Sequence, residues 1–199
     1  GLMRLPLLDA NDASTVDLEL LKQMVDLFLE KGFTYFDTAW MYNAFASEKA
    51  TKAALVDRHP RESFTLATKL HSGFFNSFED RDKIFQAQLE KTGAGYFDYY
   101  LLHGIEAGFL PKFEELDCFH WLLDKREKGL VRHAGFSYHD SPELLDQILH
   151  KKPLHEYGMT KADIDEFAHS VITSQGRLMA NNFVPLDEDR VRKIYTELF

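Results

Sequence analysis

The chain has 199 residues, 45% of them hydrophobic, with a formal net charge of −9 and a pI near 5.4. That is enough for one α/β domain but short for a closed eight-unit barrel, which usually takes about 250 residues. The acidic balance argues against nucleic acid, no apolar run reaches the roughly 20 residues of a membrane span, and the lone Cys118 excludes an intrachain disulfide and an all-cysteine metal centre.

Residues 1–8 form a short apolar lead that reads as the tail of a strand whose beginning is absent. Ser14 or Thr15 is expected to cap a helix whose apolar positions Leu18, Leu21, Met24, Val25, Phe28 and Leu29 share one face, with Gly32 closing it. A strand is expected over 33–37. Ser47, Glu48 and Ala50 then open a helix that must stop near His59-Pro60, because the residue before proline is pushed out of helical geometry. The next strand covers 64–69, a helix 79–91, a strand 97–103, and one long helix 113–128 before Gly129. A fifth strand spans 131–136. Asp140-Ser141-Pro142-Glu143 starts another helix, with proline in the first turn where its missing N–H costs nothing. After Lys152-Pro153 the alternation stops: Thr160 caps a helix to about 172, residues 174–179 extend or restart it, and Asp187 caps a last helix through Leu198. The expectation is a βα-repeating part over 1–152 and an all-helical tail over 153–199.

Asp37, Lys69, His103 and Ser137 each end one of the strand-like runs and recur every 32 to 34 residues, the length of one strand-plus-helix unit. If the strands are parallel, all four side chains gather at one end of one sheet, where α/β folds place their chemistry. Tyr42 lies in the loop just beyond Asp37. A phenol holds its proton tightly at neutral pH, and a nearby ammonium favours its release. Lys69 on the adjacent strand supplies that ammonium, Asp37 can pair with it, and His103 can orient a carbonyl oxygen beside Tyr42. The set suits carbonyl reduction.

These residues match a family. Phe36-Asp37-Thr38-Ala39-Trp40-Met41-Tyr42 with Ser47-Glu48 behind it, Ala67-Thr68-Lys69, Tyr100-Leu101-Leu102-His103 and Gly135-Phe136-Ser137 closely resemble the aldo-keto reductases over about residues 1–152. Met3-Arg4-Leu5-Pro6 and residues 136–141 look most like a bacterial branch that often carries a ferredoxin-like segment, whose cysteines this chain lacks. The resemblance implies a (β/α)8 TIM-type barrel that uses NADPH or NADH to reduce aldehydes or ketones. It implies Tyr42 as general acid, Asp37 and Lys69 tuning it, His103 positioning substrate, Ser137 on the nicotinamide amide, and Tyr138 where many relatives place an amide side chain beside that ring. Trp40, Phe74 and Phe75 are expected to line the substrate pocket, the two phenylalanines equally able to pack the barrel top.

Five strand units are counted where that family has eight, so the expected fold is a partial barrel without the later strands that grip the cofactor's phosphates and adenosine. Residues 157–165, 178–186 and Ile194-Tyr195 resemble the C-terminal helices of iron-containing alcohol dehydrogenases, without that family's metal ligands. No metal is expected here, since His103, His133 and His139 form no i, i+4 pair with a carboxylate, and His71, just beyond Lys69, is expected to be a loop residue. Two other readings stand beside the NAD(P)H-dependent reductase. One is a catalytically silent truncated or fused fragment that cannot hold cofactor. The other is an assembly module whose open sheet edges are completed by another copy as a homo-oligomer. The expected partner is a small-molecule carbonyl compound, with neither nucleic acid nor membrane, in a reducing, cytoplasmic setting.

Overall fold

A computed structural model describes residues 1–149, 153–180 and 184–199, the side chains of 177 and 178 excepted. The chain divides into two compact units, Gly1–Leu144 and Leu145–Phe199.

The first unit is built on four parallel strands in the order β1 (Tyr35–Asp37), β2 (Thr65–His71), β3 (Phe97–Ile105) and β4 (Val131–Tyr138). Helices alternate with them: α1 (Leu18–Glu30), α2 (Ser47–Thr51) continued by a π-helical turn over Lys52–Val56, α3 (Phe78–Thr92), α4 (Leu110–Glu115) and α5 (Cys118–Glu127); α6 (Pro142–Ile148) begins in this unit and ends in the second. The α/β character and the partial barrel follow the strand-plus-helix periodicity of the sequence. One face of the sheet is sealed by the helices. Leu66, Leu70, Phe97, Tyr100 and Leu102 are fully buried, and Phe85 of α3 packs on Tyr100 at 5.1 Å and on Trp121 of α5 at 5.6 Å between ring centroids. Burial of each such apolar side chain contributes about 1.5–3 kcal/mol, so this layer fixes the sheet on which the rim residues stand.

Four strands replace the expected five. Residues 1–8 make no strand: Leu7 forms one isolated antiparallel bridge with Val16, Leu2 donates a single bond to the Asp37 carbonyl, and Pro6 cannot donate to a ladder. The cap of α1 is Asp17, whose carboxylate accepts from the Leu20 amide, because Ser14 and Thr15 spend their hydroxyls on Asp12. The long helix expected over 113–128 is two helices. Asp117 between them has φ of +47°, and the carbonyl of Leu116 is drawn out of any helical ladder by the guanidinium of Arg81. Ser77 caps α3 and Gly93, at φ +63°, closes it.

The second unit is helical among its described residues: α7 (Asp163–Ser174), α8 (Gly176–Met179) and α9 (Glu188–Leu198). Asp187 caps α9 by accepting from the Arg190 amide. Thr160 does not cap α7; its amide and hydroxyl both donate to Asp163. Ile164, Ala168 and Val191 form the buried seam of α7 and α9, flanked by an Arg192–Asp165 ion pair. Residues 181–183 of the segment likened to alcohol dehydrogenases lie outside the described residues. Among those described, no helix is long and apolar enough to cross a membrane, and no group of three or more metal-ligating side chains occurs.

Candidate active site

Register decides which side chains meet. Asp37 stands opposite Ala67, two residues before Lys69 on β2, and His71 stands opposite His103 on β3. Successive side chains alternate across a strand, so Asp37, Lys69, His71 and His103 share the face turned away from the helices.

On that face the ammonium of Lys69, 5% exposed, donates to Asp37 Oδ1 at 2.5 Å, to the Thr38 carbonyl at 2.8 Å and to the Tyr42 phenol at 3.4 Å. The His103 ring stands edge-on to Tyr42 with centroids 5.7 Å apart. The structure therefore brings together the four side chains singled out as an acid–base set.

Tyr42 reaches this position through an unusual turn. Asn43, Ala44 and Phe45 all have positive φ, of 52°, 49° and 69°, a left-handed turn that costs L-residues about 1–2 kcal/mol each. The turn is held where Asn43 donates to the Ala13 carbonyl and Ala46 N to the Asn43 carbonyl. Thr38 and Ser47 close the loop from beneath with a 2.7 Å hydroxyl pair, and Ser47 donates on to the Leu2 carbonyl.

Burial, then the Lys69 ammonium and His71, lower the pKa of His103 to about 4, so its imidazole is neutral at pH 7. Its Nδ1 is buried without a hydrogen-bond partner. Tyr35 donates to Asp37 Oδ2 at 3.3 Å, and burial followed by the Asp37 charge raises its pKa to about 12, leaving it a fixed donor.

Ser137 accepts from the Gly104 amide at 2.8 Å, which leaves its own hydroxyl proton to give, a chemistry that suits the oxygen of a carboxamide. Tyr138, its neighbour on β4, donates instead to the Ser141 carbonyl. The three pocket candidates separate. Phe74 is 37% exposed and belongs to a chain of edge-to-face rings running from Trp40 to Phe45, Phe74, His71, His103 and Tyr42. Trp40 is the far end of that rim and lies under the Lys91 ammonium at 3.5 Å. Phe75 is 1% exposed and packs on Phe113 at 6.1 Å, in the core under α4.

Behind Lys69 lies a buried polar cluster that the sequence did not disclose as one. Gln88 of α3 donates to the Lys69 carbonyl at 3.1 Å and to Glu48 at 2.7 Å, and accepts from Tyr100 at 2.6 Å. Thr68 donates to the same Glu48 oxygen. Burial raises the pKa of Glu48 against these bonds. Ser47-Glu48 stands in the family motif, but Gln88 reads in sequence as an ordinary helix-surface residue, and only its burial, set by tertiary packing, marks it.

The sequence model of the aldo/keto reductase family matches residues 1–172. The chain belongs to the aldo/keto reductase family. An aldo-keto reductase of Mycolicibacterium smegmatis is 29% identical over 158 residues, 73% of this chain and 53% of that protein. A 4-hydroxybutyrate dehydrogenase of Clostridium kluyveri is 34% identical over 114 residues, 51% of this chain and 30% of that protein. Among solved structures, an aldo-keto reductase of Bacillus halodurans in its holo form superposes with a TM-score of 0.59 at 24% identity, covering 74% of this chain and 47% of that one. One of Klebsiella pneumoniae in complex with NADPH gives 0.55 at 20% identity over 73% of this chain and 47% of that one. The chain thus spans about half the length of these aldo/keto reductases, as four strands are half of an eight-stranded barrel.

Proposed function

We propose that this chain carries the reducing site of an NAD(P)H-dependent aldo/keto reductase acting on small aldehydes or ketones, with Tyr42 as general acid. The observation that carries the reading is the Lys69 ammonium held within 2.5 Å of Asp37 and 3.4 Å of the Tyr42 phenol. A cation so placed stabilises the phenolate left after proton transfer, and Asp37 keeps the cation aimed. Neutral His103, edge-on to the same phenol, orients the substrate oxygen without competing as an acid. Trp40 and Phe74 form the aromatic wall, and the Ser137 hydroxyl, its proton left free by the Gly104 amide, would hold the nicotinamide carboxamide, with Tyr138 the next residue on β4. Bound NADPH or NADH supplies the hydride; the protein's own part is to place the carbonyl and deliver the proton.

The test is oxidation of NADPH by the chain in the presence of a simple aldehyde, compared with Tyr42→Phe. Loss of a positioned general acid is expected to cost roughly 10²- to 10⁴-fold in turnover. Absence of turnover in the parent chain, together with no saturable quenching of Trp fluorescence by NADPH, would replace this reading with that of a silent fragment.

A further inference from the structure

The ring beside His103 on the same rim has no role in proton delivery. His71 lies opposite His103 in the β2–β3 register, their ring centroids 5.6 Å apart, and it is flanked by Phe109 at 4.7 Å and Phe74 at 5.9 Å. Its Nδ1 accepts from the Gly73 amide at 3.0 Å. That bond assigns the tautomer: the neutral ring carries its proton on Nε2. Burial lowers the pKa of His71, outweighing the opposing influence of Glu106, so the neutral form is the one present at pH 7. The Nε2 edge passes over the backbone of Gly104, where an added Cβ would stand 3.8 Å from it. The result is a hydrogen-bond donor of fixed direction next to the ring that orients the reacting oxygen, in an aromatic surround.

We propose that His71 is a specificity-determining residue whose Nε2–H binds a second, uncharged oxygen on the carbon next to the reacting carbonyl, so that the site prefers α-hydroxy ketones and vicinal dicarbonyls over plain ketones. The second oxygen is held and takes no part in the reduction. It is an uncharged one because the neutral His71 ring offers a carboxylate no opposite charge, and Phe74 and Phe109 surround it with apolar surface in which an anion is costly. This inference rests on the reductase reading above, and its experiment separates the two.

The probes are 3-hydroxybutan-2-one, butan-2-one and 2-oxobutanoate, each with NADPH, on the parent chain, His71→Phe and His71→Gln. The expected ratio of kcat/KM for the hydroxy ketone over the plain ketone is about tenfold in the parent, the order of one net hydrogen bond. It collapses to within about threefold in His71→Phe, which keeps the ring, and recovers in His71→Gln, which restores an N–H. A ratio unchanged by His71→Phe, or 2-oxobutanoate as the best of the three, overturns the assignment. Imidazole ¹⁵N–¹H spectra give an answer independent of turnover. An Nε2–H tautomer for His71 and a saturable shift of that signal with 3-hydroxybutan-2-one, but not butan-2-one, support the site even if no reduction occurs. The opposite tautomer, or no selective shift, refutes it while leaving turnover of simple carbonyls to stand or fall by itself.

Discussion

Lys69 and Asp37 sit 2.5 Å apart because parallel β1 and β2 pair with Asp37 opposite Ala67, leaving the two-residue offset that the long lysine side chain spans. The lysine is 5% exposed, so its charge has few other means of compensation than Asp37, the Thr38 carbonyl and Tyr42. Asp37→Asn is expected to cost about 1–3 kcal/mol, below the range for a wholly buried pair because Asp37 keeps some contact with water. Urea unfolding measures it. In the double variant Asp37→Asn with Lys69→Met part of the loss should return, since the stranded cation is gone; strictly additive losses would mean the pair is not coupled.

The cluster behind Lys69 predicts a larger effect at a residue remote from the rim. Gln88→Leu removes a hydrogen bond from Glu48, which keeps Thr68, and the side-chain partner of Tyr100 and of the Lys69 carbonyl, all buried. Each group left unpaired costs about 1–3 kcal/mol, so a loss of roughly 2–4 kcal/mol is expected after partial relaxation. A loss under 1 kcal/mol in chemical denaturation would show that water or neighbouring groups take over those bonds.

Adjacent phenylalanines give opposite expectations. Phe75→Ala opens a cavity against Phe113 and should cost about 3–5 kcal/mol. Phe74→Ala removes a ring that is 37% exposed and should cost less than about 1 kcal/mol while raising KM for carbonyl substrates. Thermal denaturation of both variants separates them, and similar losses would contradict the packing described here.

These two residues also show where the sequence stops being informative. The strands were legible because short apolar runs end in polar residues at a steady interval, and that interval alone brought Asp37, Lys69 and His103 to one rim. Pattern cannot say which of Phe74 and Phe75 turns inward, because a 3₁₀ turn over Ser72–Phe74 breaks the alternation of β2 just before them. Gln88 and Glu48 are separated by 40 residues, and no local period links a helix polar residue to a partner that far away. The split between α4 and α5 depends on Arg81 reaching the Leu116 carbonyl, a contact between elements that leaves no mark on residues 113–128 themselves. His71 could have been found: it follows Lys69 by two, which on any strand puts it on the same face.

His103 predicts how stability depends on pH. Its pKa is about 4 in the folded chain against an ordinary 6.5, chiefly through burial and secondly through the Lys69 ammonium. As pH falls from 6.5 towards 4, the unfolded chain takes up a proton that the folded one refuses, so folding loses stability across that window. Above 6.5 both forms are neutral and the residue contributes nothing; below about 4 both are charged and the penalty stays constant. A shift of this size would be worth about 3 kcal/mol in a dry site. The ring is only half-buried, and screening by water reduces the expectation to about 1 kcal/mol. For a chain of this length that is roughly 2–4 °C in Tm. Melting curves of the parent chain and His103→Asn at pH 7 and pH 4.5 isolate the contribution, because the other titrating groups are common to both. The parent should lose about 2–4 °C more than the variant between the two pH values, and parallel losses would show that His103 takes up its proton as readily in the folded chain as in the unfolded one.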